Sequence, residues 1–96
     1  MAKLVINLAD KYIDTYQFTA KNKIFLGRHP KCHLHLDNFS ISNKHAAIYT
    51  EDGKFYIEDL GSTNGTIMNN KLITKHLLID GEIIEISKYR IVFWSK

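Results

Sequence analysis

Apolar and polar positions alternate with period two along most of the chain. Leu4, Ile6 and Leu8 fall on one side of an extended segment, and Lys3, Val5 and Asn7 on the other. The run 12–18 follows, with Tyr16 and Phe18 two apart, and a short stretch 24–28 ends in Gly27-Arg28. The runs 45–50 and 54–59 flank Glu51-Asp52-Gly53. Asp-Gly between alternating runs predicts a hairpin, because both residues adopt positive φ cheaply. A second turn is predicted at Asn69-Asn70, between 66–69 and 72–73. Asp80-Gly81 leads into 82–87, where Ile84 and Ile86 alternate with Glu85, and 89–94 is the last strand-like run. No segment carries a sustained helical stripe with caps. Many short strands separated by turn residues predict an all-β fold, an antiparallel sandwich or barrel. The stretch 30–41 has no clear assignment, and long loops at one end of such a fold are where function sits.

Composition narrows the class. Ninety-six residues, 45% hydrophobic and 24% charged, make one domain, 1–96, that can bury a core without staples. The single cysteine, Cys32, excludes an intrachain disulfide and fits a reducing, cytoplasmic setting. No apolar run approaches the ~20 residues of a membrane span, and the N-terminus lacks a signal-peptide pattern. A soluble intracellular domain, monomeric in isolation, is expected. The formal charge of +3 is mild, and Arg28 and Arg90 are the only arginines. No basic cluster is interleaved with aromatics. Tyr12, Tyr16, Phe55, Ile57, Phe93 and Trp94 read as core or rim packing, so nucleic-acid binding is not expected.

The candidate chemistry lies in three short stretches: Gly27-Arg28, Ser42-Asn43-Lys44-His45, and the run from Asp59 to Thr66. All fall at the ends of strand-like runs, where loops converge. Gly27 allows an unhindered bend before Arg28, and Arg28 presents a planar fork of donors. Ser42 offers a hydroxyl and Asn43 an amide. Ser62, Thr63, Asn64, Gly65 and Thr66 are turn residues, with Asn64-Gly65 suggesting a positive φ that leaves Asn64 free to project. Together they form a set of donors for a phosphate, whose three oxygens need several partners. Ser42, His45 and Asp59 include the residue types of a hydrolase triad. Nothing marks a nucleophile elbow, and no catalytic residue is assigned; Asp59 is read as ending its strand and anchoring the next turn. His29, Cys32, His33 and His35 form a dense group, but their spacing matches no common structural zinc pattern. No metal or cofactor is assigned, and they are read as a partly exposed loop beside the binding face.

These residues resemble the forkhead-associated (FHA) domain family, the phosphothreonine-peptide-binding β-sandwiches of signalling proteins. The family pattern is Gly-Arg, then Ser-x-x-His, then Asp-Leu-x-Ser-x-Asn-Gly-Thr. The chain has Gly27-Arg28, Ser42 with His45, and the complete run from Asp59 to Thr66, in order. The resemblance implies an antiparallel β-sandwich of two twisted sheets with binding loops at one end, and a non-catalytic module that binds a phosphothreonine-containing partner protein. By position, Arg28 and Ser42 bind phosphate oxygens, and Asn43 helps the phosphate or the peptide backbone. Lys44 adds positive field, and Thr63 and Asn64 form the other lip. Gly27, His45 and Gly65 support the site. Three positions depart from the pattern. Asn69-Asn70 replaces Asn-Gly, with the turn expected to survive because asparagine tolerates positive φ. Gly81-Glu82 replaces Gly-Asp. Ser40 stands where members that prefer an acidic residue three after the phosphothreonine carry arginine. The alternative is a phosphate-independent scaffold on the same sandwich.

Overall fold

A computed structural model describes residues 1–19 and 21–95. The described residues form eleven strands and no helix: β1 (Ala2–Leu8), β2 (Lys11–Phe18), β3 (Ile24–Gly27), β4 (Leu34–His35), β5 (Ala46–Glu51), β6 (Lys54–Asp59), β7 (Ile67–Met68), β8 (Lys71–Leu72), β9 (Lys75–Leu77), β10 (Ile83–Ile86) and β11 (Tyr89–Trp94). One sheet has the order β2-β1-β11-β10-β7-β8 and the other β4-β3-β5-β6-β9.

Alternation drives the packing. Leu4 and Ile6 of β1, Ile84 and Ile86 of β10, and Ile91 and Phe93 of β11 turn inward from the first sheet. Ile24, Leu26, Ile48 and Ile57 do so from the second, and all join one buried cluster. Phe55 of β6 meets Phe93 of β11 at 5.1 Å and Phe18 of β2 at 6.0 Å between ring centroids, closing the two sheets into a sandwich. The predicted hairpin turns are present, with φ of 54° and 76° at Asp52 and Gly53 and 52° and 63° at Asn69 and Asn70. The asparagine pair thus does the work of Asn-Gly.

The structure departs from the sequence expectations in three places. The pairing of β3 with β4 is parallel, in a sheet otherwise antiparallel. The stretch with no assignment, 30–41, supplies β4 and buries Leu34, Leu36 and Ile41 in the core. Leu8 ends its strand half-exposed, past a register shift between Ile6 and Asn7, and Tyr12 lies largely in solvent on the edge strand β2.

Candidate functional site

Strand register brings the three motifs together. Leu26 of β3 pairs with Ala46 of β5, and Ala46 with Asp59 of β6. Arg28, the residues before His45 and the loop after Asp59 therefore leave the same edge of one sheet. The ladder continues into the loops: His45 N donates to Leu26 O (2.9 Å), Arg28 N to Ser42 O (3.0 Å) and Leu60 N to His45 O (2.9 Å). At the same pole Ser40 and Ser87 share a hydroxyl hydrogen bond of 2.7 Å, and Ala9 N donates to Lys88 O.

Gly27 serves the site through space and not through a bend, since its φ is not among the positive ones. A Cβ there would lie 2.1 Å from Asn43 O, so only glycine lets the 42–43 backbone come this close to β3. Gly65, by contrast, does adopt φ 91°.

His45 is 1% exposed and ties two loops. Its Nδ1 accepts from Ser42 N (3.2 Å), which leaves Nε2–H to donate to Gly65 O (2.9 Å). Both ring nitrogens thus serve backbone groups. The Ser42 hydroxyl instead accepts from Thr63 N (3.0 Å), so Ser42, His45 and Asp59 are not arranged as a triad. The Ser42 hydroxyl hydrogen stays available for an incoming acceptor.

Asp59 organises the opposite loop. Its Oδ2 accepts from Gly61 N (3.1 Å) and Ser62 N (2.9 Å). Its Oδ1 accepts from Ser62 Oγ (2.6 Å) and from Thr66 Oγ1 (2.8 Å). Ser62 Oγ in turn accepts from Gly65 N (2.9 Å). Burial pushes the Asp59 carboxyl up, but hydrogen bonds from Ser62 and Thr66 and the nearby His45 outweigh it and hold the group below its ordinary value. Ser62 and the fully buried Thr66 were not singled out from sequence as supports of the site. The serine three after a strand-ending aspartate is the signal that points to the first.

The other sequence-predicted residues fall around this frame. Arg28 Nε donates to Asn43 Oδ1 at 3.4 Å. Lys44 Nζ sits 5.3 Å from the centroid of Phe25. Asn64 is not free to project: its Nδ2 donates to Ser40 O (2.7 Å), locking the two lips together. Among the described residues Lys75 forms an ion pair with Glu51, and none joins a carboxylate to Arg28, Lys31 or Lys44.

The His-Cys group has other engagements. His33 Nδ1 accepts from Phe25 N (3.0 Å), His29 Nδ1 from Lys31 N (3.1 Å), and Cys32 Sγ donates to Asn43 O (3.2 Å). Burial raises the Cys32 thiol, against lowering by a hydrogen bond with the His29 backbone and by the Lys44 charge, which suits a donor. No group of three or more His, Cys, Asp or Glu side chains poised for a metal occurs among the described residues.

A two-sheet sandwich whose loops hold unneutralised cationic and hydroxyl donors at one pole defines a binding domain for an anionic ligand. The FHA domain model matches residues 24–87. The chain is 39% identical over 67 residues to the glycogen accumulation regulator GarA of Mycolicibacterium smegmatis, covering 70% of this chain and 42% of that protein. It is equally identical to the oxoglutarate dehydrogenase inhibitor of Corynebacterium diphtheriae, over 70% of this chain and 47% of that one. A structure solved in a study of phosphothreonine-dependent FHA domain interactions superposes with a TM-score of 0.86 at 25% identity, over 99% of this chain and 96% of that chain. The chain belongs to the FHA domain family. It spans less than half the length of the curated relatives it matches.

Proposed function

We propose that residues 1–96 act as one FHA domain that recognises phosphothreonine on a partner protein and catalyses no reaction. The observation that carries this is the convergence of Arg28 and the Ser42 hydroxyl, without a neutralising carboxylate, on loops already tied in place. A phosphothreonine brings about 1.5–2 negative charges and three acceptor oxygens. The Arg28 guanidinium and the Ser42 hydroxyl donate to those oxygens, and Lys44 adds field. Asn43 helps orient Arg28 through its Oδ1 and leaves its own amide hydrogens for the ligand. Thr63 and Asn64 form the far lip; with Nδ2 bonded to Ser40, Asn64 keeps Oδ1 to accept from a peptide N–H. Gly27, His45 and Gly65 hold the geometry.

Because the loops are cross-tied before binding, little ordering is required when peptide arrives. Unphosphorylated threonine forgoes the charge-assisted bonds, which is the basis of discrimination. The similarity to a structure from phosphothreonine-dependent interactions, and to regulators and an inhibitor of an enzyme, supports the same role. A monomer in the cytoplasm, where Cys32 stays reduced, is the setting in which this module works.

The test is titration with degenerate peptides fixed at phosphothreonine, phosphoserine or threonine, with Arg28→Ala as control. Phosphothreonine alone gives saturable binding, and Arg28→Ala weakens it by about 2–5 kcal/mol without shifting the melting temperature. Partner binding that survives phosphatase and Arg28→Ala would instead establish the phosphate-independent scaffold.

A further inference from the structure

Beside the phosphate donors lies a groove that they leave open. It is lined by Phe25, His29, Lys31, Cys32, Asn43 and Lys44, encloses about 510 Å³, and has mostly apolar walls. The Phe25 ring, stacked on His33 at 6.0 Å between centroids, and Cys32, held to Asn43 O, provide the apolar surface. Two lysines belong to its wall. Lys44 Nζ lies 5.3 Å from the Phe25 centroid, and Lys31 is exposed. Neither has a carboxylate partner among the described residues, and no acidic side chain lines the groove. Its walls are fixed by backbone bonds, Cys32 N to His29 O (3.0 Å) and His29 N to Asn43 O (3.3 Å).

We propose that this groove takes a glutamate side chain from a residue flanking the phosphothreonine in the same peptide; this rests on the phosphothreonine function above. A glutamate matches both features. Its two methylenes cover Phe25 and Cys32 while its carboxylate reaches Lys31 and Lys44. Aspartate is too short to do both, glutamine loses the charge, and lysine meets like charge. Asn43 belongs both to the groove wall and to the phosphate cluster, which places the two subsites next to each other along one extended peptide.

The experiment sets glutamate, glutamine or lysine in turn at each position around a fixed phosphothreonine, with alanine elsewhere. Each peptide is titrated against the wild type, Lys31→Ala and Lys31→Glu. At one flanking position glutamate binds about two- to fivefold tighter than glutamine, the range of an exposed ion pair. Lys31→Ala lowers that preference, with Lys44 left alone to meet the carboxylate, and Lys31→Glu abolishes it. The all-alanine phosphothreonine peptide binds wild type and Lys31→Ala alike. The groove assignment is overturned if no position separates glutamate from glutamine, or if Lys31→Ala leaves the preference undiminished. Binding indifferent to phosphate, or absent for every peptide, would remove the phosphothreonine function and this inference with it.

Discussion

Replacing Asp59 with asparagine strikes the loop network at its centre. The carboxylate accepts from two backbone N–H groups and two hydroxyls. Asparagine keeps one acceptor oxygen and turns an NH2 group toward donors. In the less costly orientation the amide nitrogen faces Ser62 and Thr66, whose hydroxyl hydrogens then lack an acceptor. Thr66 is fully buried, so water cannot replace the loss there. Bonds to a charged acceptor contribute about 1.5–3 kcal/mol each; with two weakened and some relaxation, Asp59→Asn costs about 2–4 kcal/mol at neutral pH. At roughly 4–8 °C per kcal/mol for a domain of this size, the melting temperature falls by about 8–32 °C. The pH dependence follows from the lowered Asp59 carboxyl. A depressed folded-state value means the contribution is fully present above the unfolded carboxylate pKa of about 3.9. It is lost as pH falls through the lower folded value. The gap between wild type and variant is therefore widest near neutrality and closes in acid, where protonated aspartate and asparagine become alike. Urea unfolding of both proteins near neutrality and in acid, followed by the fluorescence of Trp94, measures it. A neutral-pH gap below about 0.5 kcal/mol, the scale of an ordinary surface change, would refute the reasoning. So would a gap that does not shrink in acid.

Two further substitutions separate support from contact. His45→Ala leaves Ser42 N–H and Gly65 C=O without partners and opens a cavity, costing about 2–4 kcal/mol of stability as well as peptide affinity. Normal thermal melting of that variant would count against its architectural role. Gly27→Ala drives a methyl against the Asn43 backbone, which cannot swing aside as a side chain does. It lowers stability by about 1–3 kcal/mol, and affinity falls with it as Arg28 and Ser42 separate; wild-type melting with wild-type affinity would show that the close approach is dispensable.

Much of this was legible in the sequence where one residue type has one physical use. Alternation marked β1, β5, β6, β10 and β11, and Asp52-Gly53 marked its hairpin. Arg28, Ser42 and the run after Asp59 declared a donor cluster by type and order. What stayed hidden depended on distant neighbours. Leu34 and Leu36 alternate with histidines in a segment too short to announce a strand, and only docking beside β3 gives β4 its parallel partner. The need for glycine at position 27 comes from the backbone at position 43, sixteen residues away and invisible to local propensity. Asn64 looked free because its acceptor, Ser40 O, belongs to another loop. Positive φ at Ala9 and Ser87 is imposed by strand register, and neither residue advertises it.

The antiparallel pairing of the first and last strands bears on how the domain is built into larger proteins. Leu8 and Tyr89 pair at the end of the sandwich where Ala9 meets Lys88 and Ser87 meets Ser40, beside the loops of the site. The other ends of β1 and β11, where Lys3 pairs with Trp94, lie at the opposite pole. A strand of seven residues separates the two poles by roughly 20 Å. Polypeptide joined at either end thus departs side by side, facing away from the ligand. Such a unit is modular in the engineering sense: it can be spliced to unrelated neighbours through two adjacent strand ends at the pole opposite the loops.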